Sequence, residues 1–143
     1  LIQKYMAKIS GPLLDRIDIH IEVPAVKYKE LATEAPTEKS GIIRERVIKA
    51  RDIQLNRFQE YKHIFNNADM GSKEVRKFCK LDSSGEELLK MAMTKLGLSA
   101  RAYDRILKVS RTIADIDNSG NILPQHVSEA IQYRSLDREL WKH

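Results

Sequence analysis

Ile17, Ile19, Ile21 and Val23 alternate with Asp18, His20 and Glu22 before Pro24 closes the run, the period-2 pattern of a half-buried strand. No second run of comparable quality follows, and a lone strand cannot satisfy its own backbone N–H and C=O groups. The pattern therefore predicts an orphan strand over 17–23 that needs a sheet from outside the chain or from another copy of it. On this reading the chain is an excised piece of something longer. Residues 25–39 read as a connector, with room for one helical turn over 27–31 and a polar, proline-broken stretch at Thr33-Glu34-Ala35-Pro36-Thr37.

Beyond the connector the apolar spacing becomes helical. Ser40 is the expected cap of a long helix whose Ile43, Val47, Ala50, Phe58, Tyr61 and Phe65 recur at near-helical intervals. Arg44, Arg46, Lys49, Arg51 and Arg57 lie between them and read as a solvated face. Asn66-Asn67-Ala68-Asp69-Met70-Gly71 reads as a turn, followed by a short helix over 72–80. Ser84 and Glu87 have capping-box spacing for a helix that carries Leu88, Leu89, Ala92 and Leu96 inward and stops at Gly97. Ser99 caps the next helix, in which Tyr103, Ile106, Leu107, Ser110, Ile113 and Ala114 share one face and Arg101, Arg105 and Lys108 the opposite one. After Asp117-Asn118-Ser119-Gly120 a last helix begins near Pro124, turns Val127, Ala130 and Ile131 inward and runs out at Arg134, before Leu136 and Trp141. The expected fold class is mainly α: a small helical bundle over 40–143, preceded by the orphan strand.

Composition changes this picture in few places. A length of 143 residues with 42% hydrophobic and 31% charged residues fits one globular domain and excludes a large multidomain enzyme. The 25 Lys and Arg against 20 Asp and Glu leave a net charge of +5, spread along the chain. That excess permits contact with nucleic acid or nucleotide without requiring it. Cys79 is the single cysteine, so no internal disulfide and no cysteine-based zinc site is expected, as suits a buried thiol in a reducing cytoplasm. No apolar run approaches the roughly 20 residues that cross a bilayer, and Lys4 and Lys8 interrupt the start of the chain, so neither membrane span nor signal peptide is expected.

The chemistry of the usual enzyme motifs is missing. A phosphate-cradling loop needs glycines that let backbone N–H groups approach the phosphates and ends in Gly-Lys-Ser/Thr at a helix start. Gly71-Ser72-Lys73 has the wrong order, so this chain by itself is expected neither to bind nor to hydrolyse a nucleoside triphosphate, and is not an enzyme on its own. Asp115, Asp117, Ser119, Gly120 and Asn121 follow a calcium-loop pattern, but its twelfth position is His126 and Pro124 lies inside it, so a helix-ending turn is expected and no metal. His20, His63, His126 and His143 are isolated in sequence and read as structural. No nucleophile elbow or paired-acid pattern occurs.

Two arginines stand out. With Ser99 as cap, Arg101 occupies the first helical turn, where the macrodipole disfavours a cation by about 0.3–1 kcal/mol. An anion nearby reverses that sign, because the helix-start N–H groups and the guanidinium together suit a phosphate. The residues alone leave open the alternative of a solvated arginine tolerated there. Arg16 lies in Gly11-Pro12-Leu13-Leu14-Asp15-Arg16-Ile17-Asp18, where the flanking Asp15 and Asp18 read as partners in a surface ion pair worth little in water.

The run from Ile9 through Leu13-Leu14-Asp15-Arg16-Ile17-Asp18-Ile19-His20 to Pro24 resembles the end of the ATPase core in magnesium-chelatase-like AAA+ proteins of the ComM/YifB type. Gly97-Leu98-Ser99-Ala100-Arg101-Ala102-Tyr103-Asp104-Arg105-Ile106 resembles the lid helix of the same family, and Glu129-Ala130-Ile131-Gln132-Tyr133-Arg134 its C-terminal signature. The resemblance implies three parts: residues 1–24 as the end of the core, 25–39 as connector and 40–143 as the helical lid. It implies that Arg16 is an arginine finger reaching a neighbouring subunit's nucleotide, and that Arg101 is the sensor 2 arginine on the phosphates bound by its own subunit. It further implies ATP with Mg in a full-length parent and none bound by this piece, a six-membered homo-oligomeric ring built with the rest of the AAA+ core, and DNA remodelling such as branch migration in competence. Walker A and B elements are absent from the chain. Aromatics are not interleaved among its Lys and Arg, so direct DNA binding draws little support from the residues. The competing expectation is a free-standing helical DNA-binding or protein-interaction module.

Overall fold

A computed structural model describes residues 8–25 and 37–134. The connector turn expected over 27–31 and the stretch from Leu136 to Trp141 lie outside the described residues. The described chain is mainly α, with helices α1 (Gly11–Leu14), α2 (Ser40–Arg57), α3 (Ser72–Phe78), α4 (Ser83–Leu96), α5 (Ala100–Ile116) and α6 (Pro124–Gln132), and a 3-10 turn at Asn67–Asp69. Helix α5 is the central element: it packs against α2, α3, α6 and the 3-10 turn, while α4 packs on α6. No helix among the described residues is long and apolar enough to cross a membrane.

Local chemistry accounts for the boundaries. Ser99 Oγ accepts from the Ala102 N–H at 3.2 Å and starts α5, and Gly97 ends α4 at φ 60°, a left-handed conformation that glycine adopts without steric cost. The cap of α4 is Asp82, whose Oδ1 accepts from the Gly85 N–H at 2.7 Å, two residues before the expected Ser84. A carboxylate also suits the positive end of the dipole better than a hydroxyl. Ser40 is the first residue of α2, not its cap, and Lys39 precedes it without a side-chain cap bond. In α6 the Leu123 N–H donates to His126 Nδ1 at 3.0 Å, so an imidazole does the work a glutamate does in a capping box.

The core unites Phe58, Met70, Val75, Leu89, Ile106, Leu107, Ala114, Ile122, Val127 and Ala130. At its edge Phe58, Tyr61 and Phe78 meet edge to face with centroids 5.5–6.0 Å apart, the favourable geometry for aromatic quadrupoles. Three expectations fail around α2. The helix ends at Arg57, before Tyr61 and Phe65, and Phe65 is exposed. Ile43 and Val47 do not reach the core, because every residue from 40 to 49 is exposed and burial begins at Ala50, with Gln54 and Phe58 also buried and Ile53 and Arg57 partly so. Arg57 is not solvated either: it is nearly buried and ion-paired to Asp115.

The segment over 17–23 forms no strand among the described residues, whose only bridge joins Leu81 and Ile122. Its alternation is not expressed in burial: Ile17, Ile19, Ile21 and Val23 are exposed along with Asp18 and Glu22, and of residues 17–23 only His20 is buried. A period-2 pattern buries its apolar face only against a sheet, and none of the described elements supplies one.

Cys79 is buried in the core, and burial raises its pKa from the ordinary 9.0 to about 11. At pH 8 the folded chain is therefore expected to react with a thiol-specific disulfide reagent about a hundredfold more slowly than the denatured chain, since the thiolate is the nucleophile. Because the folded pKa is the higher one, this contribution to stability is complete below pH 9.0 and is lost as pH rises toward about 11. Equal labelling rates with and without denaturant at pH 8 would contradict the buried placement.

Candidate functional site

Arg16 sits on the turn after α1. Pro12 fixes the backbone in the first turn, Ser10 O accepts from the Leu13 and Leu14 N–H groups, and Arg16 Nη1 donates to Pro12 O at 2.8 Å. Asp15 and Asp18 turn elsewhere. Asp18 is paired with Arg105, and Asp15 lies 4.0 Å from Arg134. Among the described residues Arg16 thus makes no ion pair, and its guanidinium is exposed, which overturns the expected surface pairing.

The rest of this loop is fastened to the end of α6. Arg134 is 1% exposed and donates through Nη1 to Ile17 O and through Nη2 to Leu14 O at 3.5 Å. His20 donates from its backbone N–H to Tyr133 O at 2.7 Å, and its Nε2 lies 3.3 Å from Leu14 O. Tyr133 in turn donates its hydroxyl proton to Glu129 Oε1 at 2.7 Å, and that bond raises the phenol's pKa. The expected structural reading of His20 agrees with this geometry.

Arg101 is the second residue of α5 and is exposed, in a first turn that contains no acid. One helical turn later on the same side is Arg105, the partner of Asp18. Helix α5 therefore brings the surroundings of the two candidate arginines together, by a contact between residues 87 apart in sequence. Beside the start of α5 a cleft of about 620 Å³ is walled by Ser72, Arg76, Lys80, Glu86, Tyr103 and Asp104. Its cations are matched by carboxylates, so it lacks the single sign of charge that a phosphate cradle needs.

Sequence reasoning missed a buried polar cluster. Asp115 receives Arg57 at 2.8 and 2.5 Å, Arg111 Nε at 3.2 Å and Asn67 Nδ2 at 2.9 Å. Arg111 also donates to Gly120 O at 3.0 Å and Ser119 O at 2.7 Å, closing the turn after α5. Burial pulls the Arg111 pKa down, and Asp115 opposes that pull. The i, i+4 spacing of Arg111 and Asp115 was the one legible signal. Asp117 points away to His126 Nε2 at 3.0 Å, so the carboxylates of the calcium-like pattern diverge. Among the described residues no group of three His, Cys, Asp or Glu could hold a metal ion.

The described residues thus form a helical bundle in which an exposed Arg101 begins α5, and Arg105, one turn later, pairs with Asp18 of the loop that bears Arg16. The family described as "Magnesium chelatase, subunit ChlI C-terminal" matches residues 37–134, and "Magnesium chelatase, subunit ChlI" matches residues 1–31. The chain belongs to this magnesium chelatase-like family of AAA+ type. It is 44% identical over 142 residues to the Competence protein ComM of Haemophilus influenzae, covering 99% of this chain and 27% of that protein. It is also 44% identical over 138 residues to the uncharacterized protein YifB of Escherichia coli, covering 96% of this chain and 26% of that one. An uncharacterized protein of Mycobacterium tuberculosis is 29% identical over 133 residues. The chain spans about a quarter of the length of these relatives.

Proposed function

We propose that this chain is the C-terminal lid, with the end of the core, of a ring-forming AAA+ ATPase that remodels DNA. Residues 1–24 end the core, 25–39 connect and 40–143 form the lid. Arg16 reaches the nucleotide of a neighbouring subunit, and Arg101 contacts the phosphates held by its own. The observation that carries this reading is the bare guanidinium of Arg16, left without a carboxylate because Asp15 and Asp18 face other arginines. A fixed, exposed cation on a braced loop suits charge developing on a phosphoryl group. ATP and Mg would be held chiefly by a phosphate loop that this chain lacks; its own residues fit only the arginine contacts. The DNA-related role leans on likeness to a protein named for competence.

In the full-length protein, Arg101→Ala is expected to weaken nucleotide binding at its own subunit about tenfold or more, as the loss of a hydrogen bond to a charged group implies. Titration with a fluorescent ATP analogue measures it, and an unchanged Kd would reject the sensor role. The isolated chain should release no phosphate from ATP.

A second reading, a helical interaction module, is favoured by the projecting half of α2, where Ile42, Ile43, Val47 and Ile48 are exposed among Arg44, Arg46 and Lys49. Salt-sensitive binding of the isolated chain to duplex DNA would support it.

A further inference from the structure

We infer that Arg134 is the positioning residue that sets the Arg16 loop, so that the end of the lid controls a finger acting on the neighbouring subunit. This rests on the finger reading of Arg16 proposed above. An arginine at the end of a helix ordinarily serves the last carbonyls of that helix or stays in water. Arg134 does not stay in water. It is 1% exposed, and its guanidinium reaches carbonyl groups 117 and 120 residues earlier in the chain, those of Ile17 and Leu14. These carbonyls bracket Arg16, two residues before it and one after.

A guanidinium is costly to bury, and its planar fork is the side chain best suited to hold two acceptors in fixed relation. The Asp15 carboxylate 4.0 Å away adds the neutralising charge. That arrangement also removes Asp15 from Arg16, so one residue both fixes the loop and leaves the finger bare. The Tyr133 carbonyl, accepting from the His20 N–H, repeats the attachment on the far side of the loop. Four of the residues involved, Asp15, Arg16, Tyr133 and Arg134, thus form one unit drawn from the two ends of the described chain.

The test uses the full-length protein with Arg134→Gln, Arg134→Lys, Arg16→Ala and the Arg16→Ala/Arg134→Gln pair. Misplacement of a catalytic group costs about 10- to 100-fold, so Arg134→Gln should lower kcat by that amount while the nucleotide Kd of its own site stays within about twofold. Arg134→Lys, which keeps the charge without the fork, should fall between. The double variant should be no slower than Arg16→Ala alone, and subunits with a broken phosphate loop but intact arginines should restore turnover to Arg134→Gln subunits in mixed rings.

Wild-type kcat in both Arg134 variants, with Arg16→Ala inactive, would overturn the positioning role and leave the finger standing. Wild-type kcat in Arg16→Ala would overturn both. Additive losses in the double variant, or loss of nucleotide affinity in both Arg134 variants, would make Arg134 a general structural residue and overturn the inference.

Discussion

Arg16→Ala in the full-length protein is expected to lower ATP turnover by about 10³–10⁵-fold, the range by which a trans arginine accelerates phosphoryl transfer. Nucleotide affinity should change little, because a finger acts on charge that develops in the transition state of the neighbour's site and contributes little to ground-state binding at its own. Mixed rings separate this from a folding defect. An Arg16→Ala subunit keeps its own phosphate loop, and a loop-defective subunit keeps its finger, so one of the two kinds of mixed interface is complete. Turnover should therefore reappear well above either parent. The bare guanidinium of Arg16 makes the expectation sharper than the sequence did. Removing a surface ion pair would cost little in any assay, whereas here no carboxylate among the described residues shares the charge. Wild-type turnover in Arg16→Ala would return the residue to the role of a solvated cation anchored on Pro12 O.

Asp115→Ala should be the most destabilising single change in the bundle. The side chain is fully buried and is the shared anion for Arg57 and Arg111, with Asn67 as a further donor. Its removal leaves two guanidinium groups facing each other without a counter-charge, and breaking a buried pair in this way costs about 3–5 kcal/mol. Against a typical domain stability of about 5–15 kcal/mol this is a large fraction, and a fall in Tm of roughly 10–15 °C follows for a chain of this size. Thermal melts followed by circular dichroism on the 143-residue chain measure it. Arg46→Ala is the control. Its partner Glu38 is 41% exposed and Arg46 itself 50%, so loss of that pair should stay within about 1 kcal/mol. Equal losses in the two variants would mean that the Asp115 cluster is better hydrated than its burial indicates.

The two predictions depend on arginines that look alike in sequence. Arg16 and Arg57 each stand near other charges, and both read as solvated or locally paired. In the fold, Arg57 reaches Asp115, 58 residues away, while Arg16 loses both adjacent carboxylates to Arg134 and Arg105. Neighbours along the chain are a poor guide to electrostatic partners, because a surface pair between nearby residues is weak enough for a partner brought up by the fold to displace it, whether buried like Arg134 or partly exposed like Arg105.

Helix existence was legible from the residues of this chain. The apolar spacing of α5, the Ser99 cap and the Gly97 stop all depend on interactions within about four residues, and each stands where the pattern put it except that Tyr103, at the start of the apolar face, is exposed. The mainly α class and the family likeness were readable for the same reason: both are carried by short contiguous runs of residues. Tertiary structure decided which charges are buried and which faces are covered. The strand pattern of 17–23 found no sheet among the described residues, and the projecting half of α2 left Ile43 and Val47 exposed. The clamp of Arg134 on Leu14 and Ile17 joins opposite ends of the described residues. No local pattern encodes such contacts, since a side chain's burial and its partner are set by the packing of distant elements.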